Sequence, residues 1–137
     1  PLFGWQLEHV LFFDGNTKAI SWVIQTNNSI IEQKREHADI YLDKVTSQQS
    51  KYIGLHVGMF WGIGTFIIKN HDVVKIVIDD KSIFEHLSTN QKSHDEFIEK
   101  RTHFIRQLIE QRELKIQYVL ISPEENLAAK KIQCRGA

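Results

Sequence analysis

Cysteine is almost absent from this chain: one in 137 residues, Cys134. A lone thiol closes no internal disulfide and builds no multi-cysteine zinc site, so the sequence predicts a reducing, cytoplasmic setting. Proline is nearly as scarce, at two residues, and the 42% hydrophobic and 25% charged fractions are those of an ordinary folded protein. Disordered, collagen-like and low-complexity chains are thereby excluded. An excess of charge is also missing. Seventeen basic residues balance seventeen acidic ones, so no global field draws the chain to nucleic acid or to an anionic membrane, and any such grip must come from a local patch. No basic stretch precedes the first apolar residues, which Glu8, His9 and Asp14 interrupt, and no cleavable export signal is expected.

Long hydrophobic runs are lacking with one exception. Tyr52 to Ile68 contains no Asp, Glu, Lys or Arg and carries Gly54, Gly58 and Gly62 at the spacing that lets membrane helices pack closely. As a helix this run rises roughly 25 Å, short of the ~30 Å hydrocarbon core, and His56 sits inside it. The expectation is a buried central helix whose glycines admit neighbouring backbone, with no membrane partner.

What is present fits one domain spanning residues 1–137, long enough for a single core. His9 to Phe13 is an apolar, β-prone run ending at the turn signal Asp14-Gly15-Asn16. Ala19 to Gln25 is a second strand, and Ile30 to Glu36 a third of mixed polarity, suited to an edge. Thr46 and Gln49 have capping-box spacing and open the apolar helix, predicted to run to about Lys69. Val73 to Ile78 reads as a strand covered on both faces, and Ser82 with Glu85 frames a short helix. Ser93 and Glu96 box a longer helix with Phe97, Ile98, Phe104, Ile105, Leu108 and Ile109 on one side. Lys115 to Ile121 reads as a buried strand, and Ser122-Pro123-Glu124-Glu125 as the start of a last helix. The order β-β-β-α-β-α-α-β-α describes an α/β fold: a five-stranded mixed sheet, three antiparallel strands then two parallel, flanked by helices.

In such sheets ligands gather at the carboxyl ends of the strands, where Asp14 and Asp79 both fall. Aspartates also start turns and cap helices, and both readings stand. Phe13-Asp14-Gly15-Asn16 resembles the first-strand motif of the ribonuclease H family. Thr46 to Met59 looks like the opening of that family's central helix, and Val74 to Leu87 like its fourth strand and following helix. Pro123-Glu124-Glu125-Asn126-Leu127-Ala128-Ala129-Lys130 resembles the last helix of its short, archaeal-like members. The resemblance implies a ribonuclease H-like fold and, in active members, cleavage of the RNA strand of RNA–DNA hybrids by two magnesium ions held by four carboxylates.

At the matching positions this chain offers Asp14, Lys51, Asp79 and Lys130, moving the formal charge of the quartet from −4 to 0. Ammonium groups cannot ligate magnesium. The expected retained metal-ligand positions are therefore Asp14 and Asp79 alone, with Asp80 and Glu125 as the substitutes that a relocated site would use. Lys51 and Lys130 are read as ion-pairing partners for the two aspartates in place of metal, with direct phosphate contact as the alternative. No cofactor is expected; magnesium or manganese enters only with the relocated site.

The resemblance also implies nucleic-acid contacts at Gly15 and Asn16, and at Gln48 and Gln49 in the minor groove, where the 2′-hydroxyl marks RNA. Helix capping explains the two glutamines equally well. Lys92, Lys100, Arg101, Arg106 and Arg112 could track phosphates, although Asp95, Glu96, Glu99 and Glu110 interleave with them as on a solvated helix. The function expected is a degenerate, noncatalytic ribonuclease H-like domain with RNA–DNA hybrid, structured RNA or a protein as partner. The alternatives are an active metal-dependent ribonuclease H with relocated ligands and a structural assembly module.

Overall fold

The computed structural model describes residues 6–133, so Cys134 lies outside the described residues. Three strands come first: β1 (Glu8–Gly15), β2 (Ala19–Thr26) and β3 (Ser29–Glu36). They are followed by α1 (Ser47–Gly64), β4 (Val73–Ile78), α2 (Lys81–Ser88), α3 (Glu96–Gln111), β5 (Lys115–Leu120) and α4 (Leu127–Gln133). The sheet order is β3-β2-β1-β4-β5. β1 pairs antiparallel with β2 and β2 with β3, whereas β1 with β4 and β4 with β5 are parallel. This is the expected five-stranded mixed sheet, with the polar third strand at its edge.

Apolar side chains fill both faces of the central strands. On one face Leu11, Phe13, Trp22, Ile24, Ile76 and Ile78 pack with Leu55 and Met59 of α1 and Ile105 of α3. On the other, Phe12, Val23 and Val77 meet Ala128 of α4. The small residues of α1 explain how closely it lies on the sheet. A Cβ on Gly54 would stand 2.6 Å from the Asp14 carbonyl oxygen, and one on Gly58 would stand 2.9 Å from the Trp22 side chain. The helix is a core element, and no helix among the described residues is long and apolar enough to cross a membrane.

Four local expectations are corrected. First, α1 stops at Gly64, short of Lys69, because Phe66 turns left-handed with φ 63° and the Ile67 and Ile68 amides fold back onto the Gly62 carbonyl. Second, Asp80 and Asp95, rather than Ser82 and Ser93, cap α2 and α3 through their carboxylates. Third, β5 is a partly exposed edge strand, since among the described residues it pairs with β4 alone. Fourth, Pro123–Glu125 forms a separate 3-10 turn with its own capping box, and α4 begins two residues later.

Candidate functional site

Parallel pairing of β1 with β4 in the register Phe12 to Val77 carries both strands to the same end of the sheet, where Asp14 and Asp79 emerge side by side. Lys51 arrives from the first turns of α1, above β1. Its Nζ lies 3.2 Å from Asp79 Oδ1 and 4.0 Å from Asp14 Oδ1. All three side chains are largely buried, Lys51 being 22% exposed, Asp14 13% and Asp79 9%. Burial pushes the Asp14 carboxyl above its usual range; the Gly15 amide and Lys51 oppose that rise, and Asp79 adds to it.

Asp79 is held on its other oxygen as well. Asn126, fully buried between the 3-10 turn and α4, donates through Nδ2 to Asp79 Oδ2 at 2.9 Å and to the Phe13 carbonyl at 3.0 Å. Its Oδ1 accepts from the Ala128 amide at 3.0 Å, starting α4. Sequence reasoning placed Asn126 inside a matching segment but assigned it no role. An asparagine directly before the first apolar residue of a helix is a usable signal for a capping amide.

The remaining nominated residues sort by what they touch. Lys130 stands exposed on α4. Asp80 is spent on the α2 cap, accepting from the Ile83 amide and Ser82 Oγ. Glu125 closes the box of the 3-10 turn through Ser122. Gly15 is a packing position: a Cβ there would come within 2.4 to 2.5 Å of Ser50. Asn16 folds its side chain back on the Lys18 and Ala19 amides at 2.8 Å, and its carbonyl lies 3.1 Å from His37 Nε2. His37 also sits 2.7 Å from Ser50 Oγ, and its burial lowers its pKa.

Gln49 completes the α1 capping box with Thr46 and donates to Asp95 at 2.9 Å. Burial by itself would raise the Asp95 pKa, but this bond and those from the Ile98 and Phe97 amides outweigh it and hold the carboxyl below its usual range. Gln48 is exposed and donates to Ser82 Oγ at 2.7 Å.

Two magnesium ions do not fit this donor set. The cluster offers two carboxylates, a lysine ammonium lies 3.2 Å from one and 4.0 Å from the other, and one oxygen of Asp79 is already bonded to an amide. Among the described residues no three His, Cys, Asp or Glu side chains converge as a metal cage.

No family model matches the chain, and no curated protein matches it in sequence. Solved structures do match in shape. RNase H1 from the halophilic archaeon Halobacterium salinarum superposes with a TM-score of 0.74 at 15% identity, covering 91% of this chain and 93% of that one. The N-terminal RNase H domain of Rv2228c from Mycobacterium tuberculosis gives 0.75 at 18%, over 93% and 91%. LC11-RNase H1, solved in complex with an RNA/DNA hybrid, gives 0.68 at 13%, over 93% of each chain. Sheet order, helix placement and these superpositions agree: the chain has the ribonuclease H-like fold.

Proposed function

We propose that this chain is a ribonuclease H-like domain that binds RNA–DNA hybrid without metal-dependent cleavage. The observation that carries the reading is Lys51, whose ammonium reaches both Asp14 and Asp79 where divalent cations would otherwise neutralise them. A fixed cation satisfies the carboxylates electrostatically but supplies neither a polarised water nor a Lewis acid for the leaving oxygen. Stability of the fold is kept and hydrolysis is lost. The hybrid as ligand is supported by the fold shared with LC11-RNase H1, which has been solved in complex with one. Exposed Gln48 is the nominated groove contact at the head of α1. Capture of Asp80 and Glu125 in helix and turn caps weighs against the relocated metal site.

The test is a labelled RNA–DNA hybrid, titrated at several salt concentrations and then incubated with magnesium or manganese. Affinity that falls steeply with salt, with the RNA strand intact, is the expected result. Magnesium-dependent cleavage abolished by Asp79→Asn would overturn the reading in favour of an active nuclease. Absence of binding together with self-association would leave an assembly module.

A further inference from the structure

Beyond the aspartate cluster, α1, α3 and Tyr41 line a cavity with a different chemistry. His56 stands five residues past Lys51 on α1, roughly 140° around the helix axis. With Tyr41, Phe97, Lys100, Arg101 and Phe104 it walls a cavity of about 310 Å³, within the usual range for small-molecule sites. Four of these six side chains are rings, two are cations and none is a carboxylate. The cavity beside Gln48 and His86, about 250 Å³, includes Glu85 in its wall, which opposes an anionic ligand.

Arg101 is fixed before any ligand arrives. Its guanidinium carbon lies 5.5 Å above the Tyr41 ring and 5.4 Å above that of Phe97. Nη2 donates to the Tyr41 hydroxyl at 2.6 Å, and Nη1 donates to His56 Nδ1 at 3.0 Å. A guanidinium has five N–H donors and no acceptor, so His56 Nδ1 must accept and its proton resides on Nε2. Burial, then the neighbouring Arg101 charge, push the His56 pKa down to about 4, so this ring is neutral at physiological pH. It lies 10° from parallel to Phe104 at 5.9 Å, and Phe104 is 39% exposed. A part-exposed aromatic ring therefore adjoins a pre-set guanidinium and the exposed Lys100 ammonium.

We propose that this cavity binds a nucleotide, its base stacked on Phe104 and its phosphate held by Lys100 and Arg101. Stacking takes any base, because every base has a π face, and the two cations supply the anion preference. The chemistry is the same for a free nucleotide and for one unit of a single strand. The site does not depend on the aspartate cluster or on hybrid binding.

The test titrates the full chain with adenosine monophosphate, with adenosine, and with a single-stranded deoxyadenosine hexamer, following the His56 and Phe104 ring signals by NMR. The monophosphate and the hexamer should shift both rings, and adenosine should bind more weakly for want of the phosphate. Phe104→Ala should weaken binding on the order of tenfold, with Phe104→Tyr restoring it. Lys100→Ala should reduce the salt dependence by about one ion. A hexamer much tighter than the monophosphate identifies a strand as the source; equal affinities identify the free nucleotide. Unchanged affinity in Phe104→Ala, or ring shifts with an acidic aromatic peptide and none with the monophosphate, would overturn the proposal. Hybrid affinity measured on the same variants separates failure of this site from failure of the proposed hybrid binding.

Discussion

Asn126 and Asp79, 47 residues apart in sequence, are joined by a side-chain hydrogen bond of 2.9 Å that ties the end of β4 to the start of α4. Because the same amide also holds the Phe13 carbonyl and its oxygen starts α4, one side chain satisfies three groups. Asn126→Ala leaves those groups without their partner in a buried setting. A loss of roughly 2 to 4 kcal/mol is expected, at about 1 to 3 kcal/mol per unsatisfied buried group with some recovery by water. Urea denaturation of variant and parent measures it. A loss below about 0.5 kcal/mol would show that this amide is not what fixes Asp79.

The raised pKa of Asp14 predicts a pH trend of definite sign. Its ordinary value is 3.8, and the folded value lies above that, so the folded chain holds the proton more tightly than the unfolded chain. Its contribution to stability is full below 3.8 and is lost as pH rises through the folded pKa. Asp14→Asn removes this slope. Measured from acid to neutral pH, the stability of the variant relative to the parent should improve with rising pH. A constant difference would mean that Lys51 cancels the cost of burial in full.

The opposite sign holds for His56, whose pKa falls from 6.5 to about 4. Stability from this ring is complete above 6.5 and is lost as pH drops through 4. His56→Gln keeps an acceptor for Arg101 and does not titrate, so it should lose less stability than the parent across that window. An NMR titration of the His56 ring checks the cause directly, and a midpoint near 6.5 would contradict it.

Asp14, Asp79 and the strands that carry them were legible because apolar runs ending in aspartate specify both the element and its end. The glycines of α1 were legible for a related reason: Gly54, Gly58 and Gly62 recur every four residues in a run without Asp, Glu, Lys or Arg, a spacing that serves close approach of neighbouring backbone. The role of Asn126 was hidden, since its partners Phe13 and Asp79 come from distant segments that only the folded sheet brings together. The caps of α2 and α3 were misplaced where a serine and an aspartate stood two residues apart. Both are good caps, and only backbone geometry chooses between them. The early end of α1 was invisible because Phe66 adopts a left-handed conformation that its residue type does not suggest.

Close approach makes Gly54 the point where helix and site are coupled. Alanine is the better helix former by about 1 kcal/mol, so an isolated helix would gain from Gly54→Ala. Here the added Cβ would stand 2.6 Å from the Asp14 carbonyl oxygen, a backbone atom that cannot rotate away. The chain should lose roughly 1 to 3 kcal/mol, and the Asp14 and Lys51 signals in an NMR spectrum should shift with it. A stabilised variant would mean that α1 slides freely on β1.

Lys51 decides between a structural cluster and a dormant metal site. Lys51→Glu replaces the shared ammonium with a third carboxylate beside Asp14 and Asp79, so attraction becomes repulsion in a partly buried setting. A loss of roughly 2 to 4 kcal/mol at neutral pH is expected, below the full cost of breaking a buried pair because water still reaches the lysine. Acidification should recover part of it by protonating one of the three acids. Magnesium should recover part as well, since a ligand that binds only the folded chain stabilises it in proportion to its occupancy. In the parent chain millimolar magnesium should leave the melting temperature unchanged, because the ammonium already stands between the carboxylates. Adding Lys130→Asp, at the position that the resemblance to the ribonuclease H family marks for a further acid, should strengthen the metal response of the Lys51→Glu variant. A variant indifferent to magnesium but destabilised as expected keeps Lys51 as an ion-pair partner and ends the idea that a metal site lies latent here. A parent chain stabilised by magnesium, with the effect abolished by Asp79→Asn, would show that Lys51 yields to the metal and that the cluster is a working site.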